Sequence, residues 1–187
     1  AEGAVFLGDY DTRILSRSTI AANFGYVHQD GRLLSGSLRD NMVLGVPDPG
    51  EERILEVSRQ FGAYDLIIKP AQLGLDLPIT ESGSGLSGGQ KQLVQIVRAV
   101  LKDPAFFMLD EPTASLDQQA EMLVMNGLAD LLRQDPEKSL VFVTHKPKLL
   151  SLVDRIIVMG GGRIVLDGPR DDVIKRLAIP TKPERQA

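Results

Sequence analysis

The chain has 187 residues, 43% of them hydrophobic and 25% charged, with a formal net charge of −4 and no cysteine. This is enough for one domain with a sizeable core in an ordinary soluble, globular composition. The acidic balance speaks against nucleic acid as the main partner, and disulfides and thiolate metal sites are excluded. No leader pattern opens the chain and no apolar run approaches the roughly 18 residues of a membrane span.

Gly3–Asp11 reads as a strand and turn. The run Gly25-Tyr26-Val27-His28-Gln29-Asp30 reads as an apolar strand ending in polar residues. Val46–Gly50, with two prolines, is a loop by composition. Glu51–Phe61 and Ala63–Lys69 then read as helices, the first with Ile54, Val57 and Ser58 or Phe61 on one face, and Pro70 ends that stretch. Thr80–Gly85 reads as a Gly/Ser linker.

A stronger signal follows in Leu86-Ser87-Gly88-Gly89-Gln90. Leu93, Ile96, Val97, Val100 and Leu101 recur at helical spacing, which predicts a helix starting near Ser87 with that face buried. Ser87 is a natural N-cap, and Gly88 and Gly89 allow a ligand to approach bare backbone N–H groups. Unpaired N–H groups and the helix dipole suit such a start to phosphate. Phe106-Phe107-Met108-Leu109-Asp110-Glu111-Pro112 is a continuous apolar run ending in two carboxylates, the pattern of a parallel strand buried on both faces with chemistry at its carboxyl end. Helical periodicity resumes with Met122, Met125, Leu128, Ala129 and Leu132, read as core. Ser139–Val143 is a second apolar strand ending in Thr144-His145. Parallel strands share a carboxyl edge, so His145 is expected near Asp110 and Glu111. Leu152–Gly168 reads as a β-hairpin, Val173–Leu177 as a helix and Pro180–Ala187 as a frayed tail.

In this order and spacing the residues closely resemble the ATP-binding cassette (ABC) family, from about Gly3 to Leu177. Leu86–Gln90 resembles its signature motif, Phe106–Asp110 its Walker B strand, Gly25–Asp30 its Q-loop, Ala114–Asp117 its D-loop and Thr144-His145 its switch histidine. The resemblance implies an α/β fold of the ABC-type P-loop NTPase kind, a mostly parallel sheet with flanking helices and a small helical subdomain. Residues 1–28 then hold part of the ATPase core, 29–86 the Q-loop and helical subdomain, 87–179 the signature helix and the rest of the core, and 180–187 a tail. It also implies ATP and Mg²⁺ as ligands. Asp110 and Gln29 attend the metal, Gln29 also senses the γ-phosphate of the bound nucleotide, Glu111 is the general base and His145 contacts the γ-phosphate. Ser87, Gly88, Gly89, Gln90 and Asp117 belong to nucleotide contacts in a head-to-tail homodimer.

The family's phosphate loop, G-x-x-x-x-G-K-[S/T], does not occur in this sequence. The lysine followed by Ser or Thr is Lys138, and Glu137 precedes it. The resemblance therefore implies a fold lacking its N-terminal part, inactive alone and ATP-hydrolysing within the whole protein. Smaller departures are Gly8-Asp9, reversed from the family's order, and His28, where proline is common. Leu33–Met42 resembles the segment of exporter cassettes that faces the transmembrane domain, and Glu81 a neighbouring contact to it. The stretches Val143–Lys146, Leu152–Met159 and Asp167–Pro169 look most like bacterial type I secretion exporters. That expectation brings a transmembrane domain of the same transporter, a periplasmic adaptor, an outer-membrane channel and the cytoplasmic face of the inner membrane. The competing expectations are a non-catalytic interaction cassette and an exporter of lipids, drugs or peptides. A soluble ABC ATPase of DNA repair or translation is disfavoured by Leu34–Met42 and the acidic charge.

Overall fold

The computed structural model describes residues 3–29 and 31–178. Asp30, Ile179 at the end of the signature-helix segment, and the tail at 180–187 lie outside the described residues. Two compact units divide the chain between His145 and Lys146.

In the first unit, Gly3–Asp11 forms a short antiparallel hairpin of β1 (Phe6–Leu7) and β2 (Tyr10–Asp11), turned by Gly8 at φ 58°. A helix that the sequence did not announce, α1 (Arg17–Asn23), follows. Ser16 caps it, accepting from the Thr19 N–H at 3.0 Å. The chain then enters β3 (Phe24–Val27), the first strand of the parallel sheet. The other two are β6 (Phe106–Asp110), in the centre, and β7 (Ser139–Val143). Phe24 pairs with Phe106 and Phe106 with Ser139, and the register runs on to Asp110 opposite Val143.

Between β3 and β6 lies the helical part. Gly36–Ser37 (β4) pairs with Pro78–Ile79 (β5), and α2 (Leu38–Met42) starts from a Ser37–Asp40 capping box. In that box the Ser37 N–H and hydroxyl hold the Asp40 carboxyl below the usual carboxylate range. Helix α3 (Glu51–Gln60) buries Ile54, Val57 and Ser58, as its period requires. The next stretch is a π-helix over Tyr64–Ile68 rather than an α-turn, closed by the Lys69 N–H on the Tyr64 carbonyl at 2.8 Å. Helix α4 (Gly88–Leu101) packs against α2, α3 and β3 and buries Leu93, Ile96, Val97, Val100 and Leu101. Between β6 and β7 runs α5 (Gln118–Gln134).

Two sequence expectations about burial need correction. In β6 only Phe107 (1% exposed) and Leu109 (3%) are buried; Met108 is 39% exposed. The alternation extends across the sheet, for Tyr26, Val141 and Val143 on the Met108 face are exposed as well. A parallel sheet reads as fully buried only when both faces are covered, and among the described residues this one is packed on one face. In α5 the buried residues are Ala120, Glu121, Val124, Gly127 and Leu128, and Met122 is 56% exposed. Apolar side chains surround this helix, so counting them misplaces the face. The small residues locate it, because Gly127 lets α3 come close.

A Cβ at Gly127 would lie 2.7 Å from the ring of Phe61, which is fully buried and cannot swing away. Gly127→Ala recovers about 1 kcal/mol of helix propensity but overpacks a rigid ring at about 1–3 kcal/mol. The substitution is therefore expected to destabilise, seen as a lower denaturant midpoint with an unchanged slope.

The second unit pairs β8 (Arg155–Gly160) with β9 (Arg163–Pro169) through Gly161 and Gly162, with a register shift at Val158/Met159. Arg155 grips Asp167 across the pair with two 2.8 Å bonds, and α6 (Arg170–Ala178) packs on the hairpin. Among the described residues no helix is long and apolar enough to cross a membrane.

Candidate functional site

The sheet register brings four candidate residues to one edge. Val27, Leu109 and Phe142 lie side by side, so the segments that follow them leave the carboxyl edge of β3, β6 and β7 together. These segments carry Gln29, then Asp110 with Glu111, then Thr144 with His145. Glu111 takes a left-handed backbone, φ 46°, uncommon for a residue with a side chain. Its own N–H donates to the Val143 carbonyl at 3.0 Å, and its carboxylate accepts the His145 backbone N–H at 3.1 Å. The His145 ring nitrogen Nε2 stands 3.7 Å from the same carboxylate oxygen. The Glu111 side chain is 13% exposed and that of His145 94%. A sheltered carboxylate thus sits beside a solvent-facing imidazole, with Asp110 half-buried and Gln29 exposed nearby along the edge. His28, one residue before, stacks edge-on against Tyr26 at 4.2 Å.

A second cluster surrounds the start of α4. Ser87 and Gln90 form a capping box: the Ser87 hydroxyl accepts the Gln90 N–H at 3.1 Å, and the Gln90 side-chain Oε1 accepts the Ser87 N–H at 2.9 Å. The Gln90 amide nitrogen donates to the Leu66 carbonyl in the π-helix at 2.8 Å. Asp117 caps α5 through the Ala120 N–H at 2.8 Å. Ser87, Gly89 and Gln90 line a groove of about 240 Å³ together with Ser115, Leu116 and Asp117. The two glycines differ. Gly88 is exposed, and a Cβ there would meet Ser115 only at 3.4 Å; a Cβ at Gly89 would lie 2.7 Å from the Ser115 carbonyl oxygen. A side chain at Gly89 would therefore strike the chain's own loop, whereas one at Gly88 has room.

Sequence reading missed a polar stripe on α4. Gln92 and Gln95 are buried, at 3% and 6% exposure. Gln92 bonds the backbone of Glu111 and Ser115, and Gln95 bonds the Gly31 carbonyl at 3.2 Å. Arg98 bonds the Asn41 carbonyl at 2.6 Å, and burial pulls its pKa below the usual arginine value. Asn41 in turn braces Leu34, so the Leu33–Met42 segment is tied to α4. The available signal was polar residues at i, i+3 and i+6 within an otherwise apolar helix.

Lys138, the lysine that precedes a serine, lies at the amino end of β7, away from the carboxyl edge. It is held by Asp135 at 2.9 Å and Asp103 at 3.0 Å, and these hydrogen bonds, that of Asp135 first, raise its pKa. It is a clamp between turns. Among the described residues no group of three or more His, Cys, Asp or Glu forms a metal cage. Asp110 and Gln29 provide oxygen donors on adjacent strand ends, the hard ligands that Mg²⁺ takes when phosphate oxygens and water complete its shell.

A family model described as ABC transporter matches residues 1–114. The chain is 36% identical over 172 residues to the ATP-dependent lipid A-core flippase of Neisseria gonorrhoeae, covering 92% of the chain and 27% of the flippase. It is 29% identical over 174 residues to the leukotoxin export ATP-binding protein LtxB of Aggregatibacter actinomycetemcomitans, covering 93% of the chain and 24% of that protein. The solved structure of a bacterial Atm1-family ABC exporter with ATP bound superposes with a TM-score of 0.86 at 24% identity, over 94% of the chain and 30% of that structure's chain, a likeness of fold. The chain spans less than a third of the length of the curated relatives it matches.

Proposed function

The chain belongs to the ABC transporter family, and from that premise we propose that it is the portion of an ATP-hydrolysing cassette that runs from the Q-loop through the signature to the switch histidine, in a protein that powers an exporter. One observation carries the reading. Gln29, Asp110, Glu111 and His145 leave one sheet edge together, and the carboxylate of Glu111 is fixed by a backbone N–H of the His145 segment.

In this reading Glu111 takes the proton of the attacking water. A sheltered carboxylate fixed in place by a backbone N–H is suited to the work of a general base. His145, solvent-facing beside it, donates to the γ-phosphate. Asp110 and Gln29 would hold Mg²⁺, which when bound would neutralise phosphate charge. The start of α4, with exposed Ser87 and Gly88, faces the γ-phosphate bound by a second copy, so a head-to-tail pair encloses two ATPs. Hydrolysis then proceeds by positioning and charge neutralisation.

The phosphate loop is supplied, in this proposal, by a preceding segment of the whole protein. That segment also covers the Tyr26–Met108–Val141 face of the sheet. The 187-residue chain is accordingly expected to bind Mg·ATP about 100-fold or more weakly than the whole protein, a difference of about 2.7 kcal/mol. Equal affinities in parallel titrations would argue for an interaction-only cassette.

The whole protein works, in this reading, at the cytoplasmic face of a bacterial inner membrane, joined to transmembrane helices of the same transporter through Leu33–Met42 and Glu81. The relatives' names span lipid A-core flipping and leukotoxin export. Type I protein secretion, with a periplasmic adaptor and an outer-membrane channel, is the narrower proposal, supported by the leukotoxin relatives. Vesicles carrying the whole protein test it: ATPase stimulation by an unfolded secretion substrate, and none by lipid A, is the expected result. The reverse pattern would assign the cargo to lipids.

A further inference from the structure

Gln92 lies on the fifth residue of α4 and is 3% exposed. Its amide is used at both ends: Nε2 donates to the Glu111 carbonyl at 2.7 Å, and Oε1 accepts the Ser115 N–H at 3.1 Å. One orientation of the amide satisfies both bonds, and the flipped one faces acceptor to acceptor and donor to donor. The residue it grips first is the one whose backbone stands at φ 46°. A side-chain-bearing residue persists in that region only where its surroundings over-determine it. Around Glu111 those surroundings are the Val143 carbonyl on its N–H, and the Ala114 N–H and Gln92 on its carbonyl.

We infer that Gln92 is a positioning residue for Glu111, holding the left-handed backbone that aims the carboxylate at the attacking water, and that it fixes the Glu111–Ser115 loop against the helix that begins with Ser87. The inference rests on the reading of Glu111 as the general base. A structural role alone, the satisfaction of two backbone groups, predicts loss of stability. A positioning role predicts a loss confined to the chemical step and expressed through Glu111.

The test uses the whole protein that contains this chain. Gln92→Met keeps the length of the side chain and removes both bonds. Its kcat is expected to fall about 10-fold or more, with KM for Mg·ATP within about twofold of wild type, the pattern of an interaction felt in the transition state. The decisive comparison adds Glu111→Gln. Once the base is gone there is nothing left for Gln92 to aim, so the double variant should show the same residual single-turnover rate as Glu111→Gln alone. Multiplying losses, or a wild-type kcat in Gln92→Met, would overturn the inference while leaving the ATPase reading intact. A wild-type protein that does not hydrolyse ATP would overturn both. If Gln92→Met does not fold, Gln92→Glu assayed at alkaline pH keeps the acceptor for Ser115 and sets an oxygen against the Glu111 carbonyl. A similar kcat loss is expected there, and wild-type turnover would again overturn the inference.

Discussion

Glu111→Gln in the whole protein is expected to lower ATP turnover by about 10²–10⁴-fold, the usual contribution of a positioned general base, while Mg·ATP affinity stays near wild type. The amide keeps the size of the carboxylate and its acceptor oxygen, so the 3.1 Å bond from the His145 N–H survives and the edge keeps its shape. What the amide cannot do is take a proton at neutral pH. The closed, ATP-loaded pair should therefore accumulate, since ligand binding still favours closure and the step that reopens it is lost. Turnover and equilibrium binding on the same preparation measure both halves. Near-normal turnover would remove Glu111 from the role of base, and a parallel loss of ATP affinity would make its role structural.

Gly88→Glu should have an effect of similar size by a different route. In its own subunit the change is benign. Gly88 is exposed, its added Cβ has room, and an acid in the first turn of a helix is favourable by about 0.3–1 kcal/mol. Across the proposed head-to-tail interface the same carboxylate would meet the partner's γ-phosphate and oppose it with like charge. Turnover is expected to fall about 100-fold or more, comparable to losing one preorganised donor to an anion. Stability and ATP affinity of the separated subunit should not fall. Gly89 is unsuited to this test, because any side chain there strikes the Ser115 carbonyl in the same subunit. Ser87 is only partly suited, since replacing it also removes the α4 cap at about 0.5–2 kcal/mol. A Gly88→Glu subunit that loses ATP affinity by itself would place the α4 start beside its own nucleotide.

Much of this was legible from local rules. The Ser87 cap, the α4 face and the three parallel strands follow from residue periodicity and from a hydroxyl before a helix, and each depends on neighbours close in sequence. Helix α1 escaped because its seven residues have no apolar stripe and depend on the Ser16 cap. The π-helix at Tyr64–Ile68 escaped because its extra residue per turn leaves no mark on a five-residue pattern. The face of α5 was read rightly at Leu128 and wrongly at Met122, because Gly127, the residue that lets Phe61 in, counts as nothing on an apolar scale. The Gln92, Gln95 and Arg98 contacts reach across 19, 64 and 57 residues of sequence, and no local pattern encodes the loop at the far end.

The central claim is that a sheet edge bearing Asp110, Glu111 and His145 is completed by the α4 start of a second copy. Mixed dimers test it most directly. Neither Glu111→Gln nor Gly88→Glu homodimers should turn over ATP appreciably. A heterodimer of the two concentrates both defects in one site and leaves the other site with wild-type Glu111 facing a wild-type α4 start. Phosphate release from the mixture should therefore rise well above that of either homodimer, towards about half the wild-type rate per heterodimer, and so about a quarter per pair in a random equimolar mixture, if the sites fire separately. A mixture no faster than its parents, in subunits shown by cross-linking to have paired, would contradict the composite site.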